Sequence, residues 1–198
     1  MTLLILGLVL FLGLHSVRIV SEGLRSRAIA RIGPGAWKGL FSLLSIAGFV
    51  LIIWGYGAAR AQPVLLWDAP AWTRHLAALL TLAAFVLLAA AYVPGNAIKA
   101  RLRHPMILGV KVWALAHLLA NQTLADLLLF GAFLVWAVFS FRAARARDHA
   151  AGTAYAAGTA YAAGRSGPTL LAVALGLAAW GAFAFWAHAA WIGVRPLG

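Results

Sequence analysis

Six histidines are the residues best able to do chemistry in this chain of 198 residues: His15, His75, His104, His117, His149 and His188. There is no cysteine, which excludes disulfides, thiolate metal sites and thiol catalysis. The four acids, Glu22, Asp68, Asp126 and Asp148, include no pair spaced for acid–base work. No phosphate-cradling glycine loop, HExxH helix or nucleophile elbow occurs. His117 carries the most information. It lies in KARLRHPMILGVKVWALAHLLAN, residues 99–121, with Trp113 four residues before it and Asn121 four after, all on one helical face. His15 shares a face with Leu8, Phe11 and Leu12. His75 follows Arg74, and His104 precedes Pro105, which suits the first turn of a helix. A buried imidazole needs a hydrogen-bond partner or a metal. Imidazoles from two helices can hold a haem iron between them, but spacing alone favours ordinary interhelical hydrogen bonds.

The elements that must position these residues are apolar. The chain is 64% hydrophobic and 10% charged, more apolar surface than a soluble domain can hide, so the fold expected is an all-α integral membrane protein. Six transmembrane helices are expected near residues 2–17, 40–59, 72–92, 105–120, 124–141 and 169–191, with the first and fourth short for a bilayer. The formal net charge is +12. In a soluble protein that would suggest nucleic acid. Here 13 of the 16 Lys and Arg residues fall in the loops after spans one, three and five or, for Lys111, near the start of span four, where they set orientation, and the partner expected is the lipid bilayer. Those loops face the cytoplasm in this reading, and both termini, the N-terminus included, face outward, into the periplasm if the cell is Gram-negative. The first span is not a convincing cleavable signal, because basic residues follow it in place of a small-residue cleavage site.

Finer expectations follow. Asp126 belongs in the first turn of span five, where a carboxylate suits the helix dipole, and the other three acids belong in loops. His149 is expected in a polar linker, and His188 among Trp180, Trp186 and Trp191 at an interface. Residues 150–164 repeat a six-residue unit rich in Ala and Gly, which reads as a low-complexity linker. The domain organisation expected is a five-helix unit over 1–145, a linker over 146–167, and a sixth helix over 168–198 as an appendage. This topology puts His15 near the cytoplasmic end of its span and His117 nearer the outer end, a mismatch on the order of 10 Å, so His75 is an alternative partner for His117.

Three stretches carry a resemblance: GLHSVRI at 13–19, RIGPGAWKGLFSLLSIAGFVLIIWGY at 31–56 and AYVPGNAIKARLRHPMILGVKVWALAHLLANQTLADLLLFG at 91–131. Together they closely resemble the NnrU family, over about residues 1–145. The resemblance implies a bacterial inner-membrane protein associated with nitrite and nitric oxide respiration. The family is also similar to 15-cis-zeta-carotene isomerase, which uses haem b with axial histidines. That likeness implies iron ligands at His15 and His117, the match of Arg103, His104 and Pro105 to its RHP motif, and possible action as an isomerase or redox enzyme on a hydrophobic substrate. The isomerase has a Cys near its second ligand, where this chain has Ala114. Lys99, Arg101, Arg103 or Arg25 could pair with haem propionates at the cytoplasmic edge, with simple topology signalling the favoured reading for each. The alternative is a non-catalytic membrane factor serving the nitrite and nitric oxide respiratory enzymes. A transporter is the weakest reading, because Asp126 is its sole intramembrane acid.

Overall fold

The computed structural model describes residues 1–152 and 164–197, all of it helix or connection. The helices are α1 (Thr2–Val20), α2 (Glu22–Ile32), α3 (Pro34–Arg60), α4 (Trp72–Tyr92), α5 (Ala97–Leu102), α6 (Pro105–Ala120), α7 (Leu124–Ala150), α8 (Ser166–Ala182) and α9 (His188–Ile192). A π-helical turn, Phe183–Ala187, joins α8 to α9 into one apolar rod, Ser166–Ile192. Five of these helices are long and apolar enough to cross a membrane. The sixth apolar helix, α6, has 16 residues, about 24 Å of rise. The chain is thus an all-α, multi-pass membrane protein. Most of the repeat segment lies outside the described residues.

The helices run beyond the apolar stretches that signal them. α7 continues past Phe141 through RAARARDHA, because Ala and Arg favour helix whether or not lipid surrounds them. Asp148 and His149 are therefore helical, not in a loop. Glu22 is helical too, in the first turn of α2, where Ser21 caps the helix by accepting the Leu24 N–H at 3.2 Å.

Two compact units make up the chain. The first joins residues 1–68 to 122–140. In it α1 and α3 lie antiparallel and in very close contact, because glycine occupies the crossing points. A Cβ on Gly7 would sit 2.6 Å from the Ile52 nitrogen, one on Gly48 would sit 2.9 Å from the Phe11 nitrogen, and one on Gly55 would overlap the Leu4 backbone. Small residues let membrane helices approach until dispersion forces hold them. Gly55→Ala is expected to cost about 1–3 kcal/mol by forcing the helices apart, seen as a lower unfolding temperature in detergent. Gly57→Ala on the same helix, where a Cβ meets open space, should cost nothing.

The second unit joins residues 69–121 to 141–198. α4 is its central helix, with α6 and α8 both packed on it. Gly109 meets the Ala84 carbonyl and Leu88, and Gly176 meets Val86. Trp180 Nε1 donates to Thr81 Oγ1 at 3.1 Å, and Ala97 N–H donates to Thr169 Oγ1 at 2.8 Å. The last helix thus packs on α4. Its glycine face and Thr169 tie it into the second unit.

Between α5 and α6 the backbone turns sharply. Pro105 biases the residue before it away from helical geometry, so α5 cannot run on into α6. The Leu102 carbonyl accepts the His104 N–H at 2.7 Å, and Arg103 takes φ 60° and ψ −46°. This is the rare, strained form of γ-turn, costing about 1–3 kcal/mol. Side-chain contacts hold it, as described below.

Candidate functional site

His15 sits in an aromatic surround within the first unit. Its Nδ1 lies 2.7 Å from the Phe11 carbonyl, one turn back on α1. A carbonyl can only accept, so Nδ1 carries the proton and Nε2 keeps its lone pair. Phe11 stacks on the imidazole with centroids 4.3 Å apart, Phe41 lies at 5.1 Å and Trp136 meets it edge-on at 6.3 Å. Two further polar atoms of this unit are buried without a partner, Ser45 Oγ and Trp136 Nε1. Ser45 falls one turn after Phe41 and three residues before Gly48, on the α3 face that meets α1. Unmatched polar hydrogens beside an aromatic surround suit a ligand with an apolar body and a hydrogen-bond acceptor.

His117 repeats the same local arrangement in the second unit. Its Nδ1 lies 2.9 Å from the Trp113 carbonyl, and the Trp113 ring packs on it at 5.2 Å. Asn121 caps α6, with its N–H donating to the His117 carbonyl at 2.9 Å. Trp113 and His117 thus pack together, and Asn121 follows as the C-cap. Ala114 is fully buried; the close packing there is what its small side chain allows.

The other candidates go elsewhere. His75 is exposed in the first turn of α4. His104 Nε2 is 3.0 Å from Asp148 Oδ2, and Arg103 Nη1 donates to the same oxygen at 3.5 Å. The Arg103 side chain is only 8% exposed, so Asp148 anchors the strained γ-turn through both residues. Asp148→Ala is expected to destabilise the protein by about 1–3 kcal/mol, because it strips a buried guanidinium of a charged partner; thermal unfolding in detergent measures it. His188 Nδ1 lies 2.7 Å from the Val194 carbonyl, beside Phe183, one π-helical turn back.

The basic residues expected near propionates have protein partners. Lys99 Nζ donates to the Ala91 carbonyl at 2.7 Å, Arg103 is on Asp148, and Arg25 donates to Glu22 at 2.8 Å. Desolvation works against ionisation of Glu22, yet hydrogen bonds from Arg25 and Arg18 hold its carboxyl below the usual carboxylate range. Sequence reasoning missed Phe41 and Trp136 as neighbours of His15, and Ser45 as a buried hydroxyl on the face of Phe41. Phe41 and Ser45, with Gly48, follow the i, i+4, i+7 rhythm of one helix face, which is a usable signal. Trp136, on a helix remote in sequence, leaves none.

Asp126 forms a second polar cluster. Thr123 N–H and Oγ1 donate to its Oδ2 at 3.0 and 2.6 Å, and its own N–H donates to Thr123 Oγ1 at 3.2 Å, a reciprocal cap on α7. Tyr56 from α3 donates its hydroxyl to Oδ1. The expected first-turn acid is therefore also a tie between α3 and α7.

No curated relative and no solved structure matches the chain significantly. The NnrU protein family matches residues 3–196, so the likeness extends past residue 145 to include the last helix. With nearly its whole length matched, this all-α membrane protein belongs to the NnrU family.

Proposed function

We propose that the protein binds haem b through the Nε2 atoms of His15 and His117, in a bacterial inner membrane with its basic loops on the cytoplasmic side. The observation that carries this reading is the Nδ1 contact that the two imidazoles share. Both imidazoles direct Nδ1–H as a hydrogen-bond donor to the carbonyl four residues back, at 2.7 and 2.9 Å. Metal-ligating histidines are held in this way, which fixes ring orientation and raises the basicity of the other nitrogen. The donor set fits the group: neutral imidazoles for iron, aromatic side chains for an apolar macrocycle, and buried Trp136 Nε1 and Ser45 Oγ for an acceptor on what lies beside them.

When bound, haem would supply an iron able to accept an electron or a weak axial ligand. The protein's own part is to fix each imidazole, with Phe11 and Phe41 excluding water at His15 and Trp113 at His117, and to admit a hydrophobic substrate from lipid. The reaction class proposed is isomerisation or electron transfer on such a substrate. The test is an absorption spectrum of detergent-purified protein from haem-replete cells. A Soret band with a pyridine haemochrome of haem b is expected. A colourless protein that co-purifies with a nitrite or nitric oxide reductase would overturn this and favour the supporting-factor reading.

A further inference from the structure

We propose that α2 is a surface helix that docks on acidic phospholipid headgroups of the membrane its neighbours cross. α1 and α3 are both long and apolar enough to span, and they pack antiparallel. The 11 residues of α2 join their adjacent ends, so α2 must lie at the level where hydrocarbon gives way to water. It buries no residue in the protein. Leu24 is 57% exposed, Ile32 47%, and Val20 just before it 81%. Leu24, Ala28 and Ile32 recur at i, i+4 and i+8, one apolar stripe. Arg27 and Arg31 run along one edge of that stripe and Arg25 along the other.

Charge selects the occupant. Glu22 is the one acid of α2, and it is taken by Arg18 at 3.1 Å and Arg25 at 2.8 Å. Arg27, Arg31 and Lys38 make no ion pair among the described residues; Arg27 Nε donates only to its own helix, to the Gly23 carbonyl. An exposed apolar stripe edged by uncompensated guanidiniums fits a phosphodiester surface, with the stripe in the acyl boundary and the arginines snorkelling to phosphate. Guanidinium donates two parallel hydrogen bonds to phosphate oxygens, so these residues would do more than bias topology. Ser21 as the N-cap and Gly33 (φ 83°) before Pro34 stop the helix at both ends and let it lie across the spans.

Hydrogen exchange of the full chain in nanodiscs tests this. In discs containing 30% dioleoylphosphatidylglycerol, amides of α2 are expected to exchange about tenfold or more slowly than in pure dioleoylphosphatidylcholine, on the scale of a few-fold for each arginine at an anionic surface. The protection should vanish in 0.5 M NaCl, where the Debye length falls to a few ångströms, and in R27Q/R31Q discs. Unchanged exchange in α1 and α3 shows that the variant is folded; should it not fold, the salt arm on the unaltered protein decides. Equal protection in both lipids, or protection that survives salt or the double substitution, overturns the proposal.

Discussion

His15→Ala and His117→Ala are each expected to strip purified protein of its Soret band, lowering haem per polypeptide at least about tenfold. Each removes a neutral nitrogen whose orientation is set by a backbone carbonyl, Phe11 for one and Trp113 for the other. Nothing else nearby can replace it, since the chain has no cysteine and neither site has a second histidine among the aromatic neighbours described. Imidazole added to the buffer should restore the band in part, because it refills the cavity without the tether. His75→Ala should leave the spectrum unaltered, since that side chain is exposed at the start of α4. His104→Ala should keep the band and lower thermal stability, since its Nε2 serves Asp148. A spectrum that survives loss of His15 or His117 but not of His75 would overturn the ligand assignment. A spectrum lost only in His104→Ala would move the site to the α5–α6 corner.

Asp126→Ala carries the second large effect, on stability. The carboxylate is buried and accepts from the Tyr56 hydroxyl, the Thr123 hydroxyl and the Thr123 N–H. Removing it leaves three donors in a low-dielectric setting where water does not compensate them. The expected cost is about 2–4 kcal/mol. Tyr56→Phe alone removes one donor together with its need for a partner, so it should cost only about 1 kcal/mol. The double variant should lose less than the sum of the two, because Asp126→Ala no longer strands the tyrosine. Additive losses in thermal unfolding would show that the two side chains do not act together. If Asp126 served proton transfer, Asp126→Asn would preserve stability and abolish activity; as a structural tie, it should cost stability by placing an amide where the carboxylate accepted.

Much of the fold was legible because lipid imposes one rule on backbone polar groups: satisfy them within the helix. Apolar length therefore located all six apolar helices. The ends were less legible. Composition changes at Phe141, yet α7 continues to Ala150, since helix propensity does not stop where hydrophobicity does. Single-turn chemistry was legible too. Pro105 marks the start of α6, and Asp126 marks the first turn of α7.

What the sequence by itself determined is therefore local: helix-forming lengths, an absence of thiols and the charge bias of the loops; that His15 and His117 each donate to a carbonyl of their own helix, where interhelical partners were expected, is a finding of the structure. Tertiary structure decided which partners those helices meet. Glycine at 7, 48 and 55 reads as a common membrane residue until α1 lies against α3. Trp136 and Phe41 become neighbours of His15, and Asp148 becomes the anchor of Arg103 and His104, only when residues far apart in sequence are brought together. The physical reason is range. Hydrogen bonds within a turn are written in adjacent residues, whereas packing and ion pairing between helices depend on surfaces that no single helix specifies.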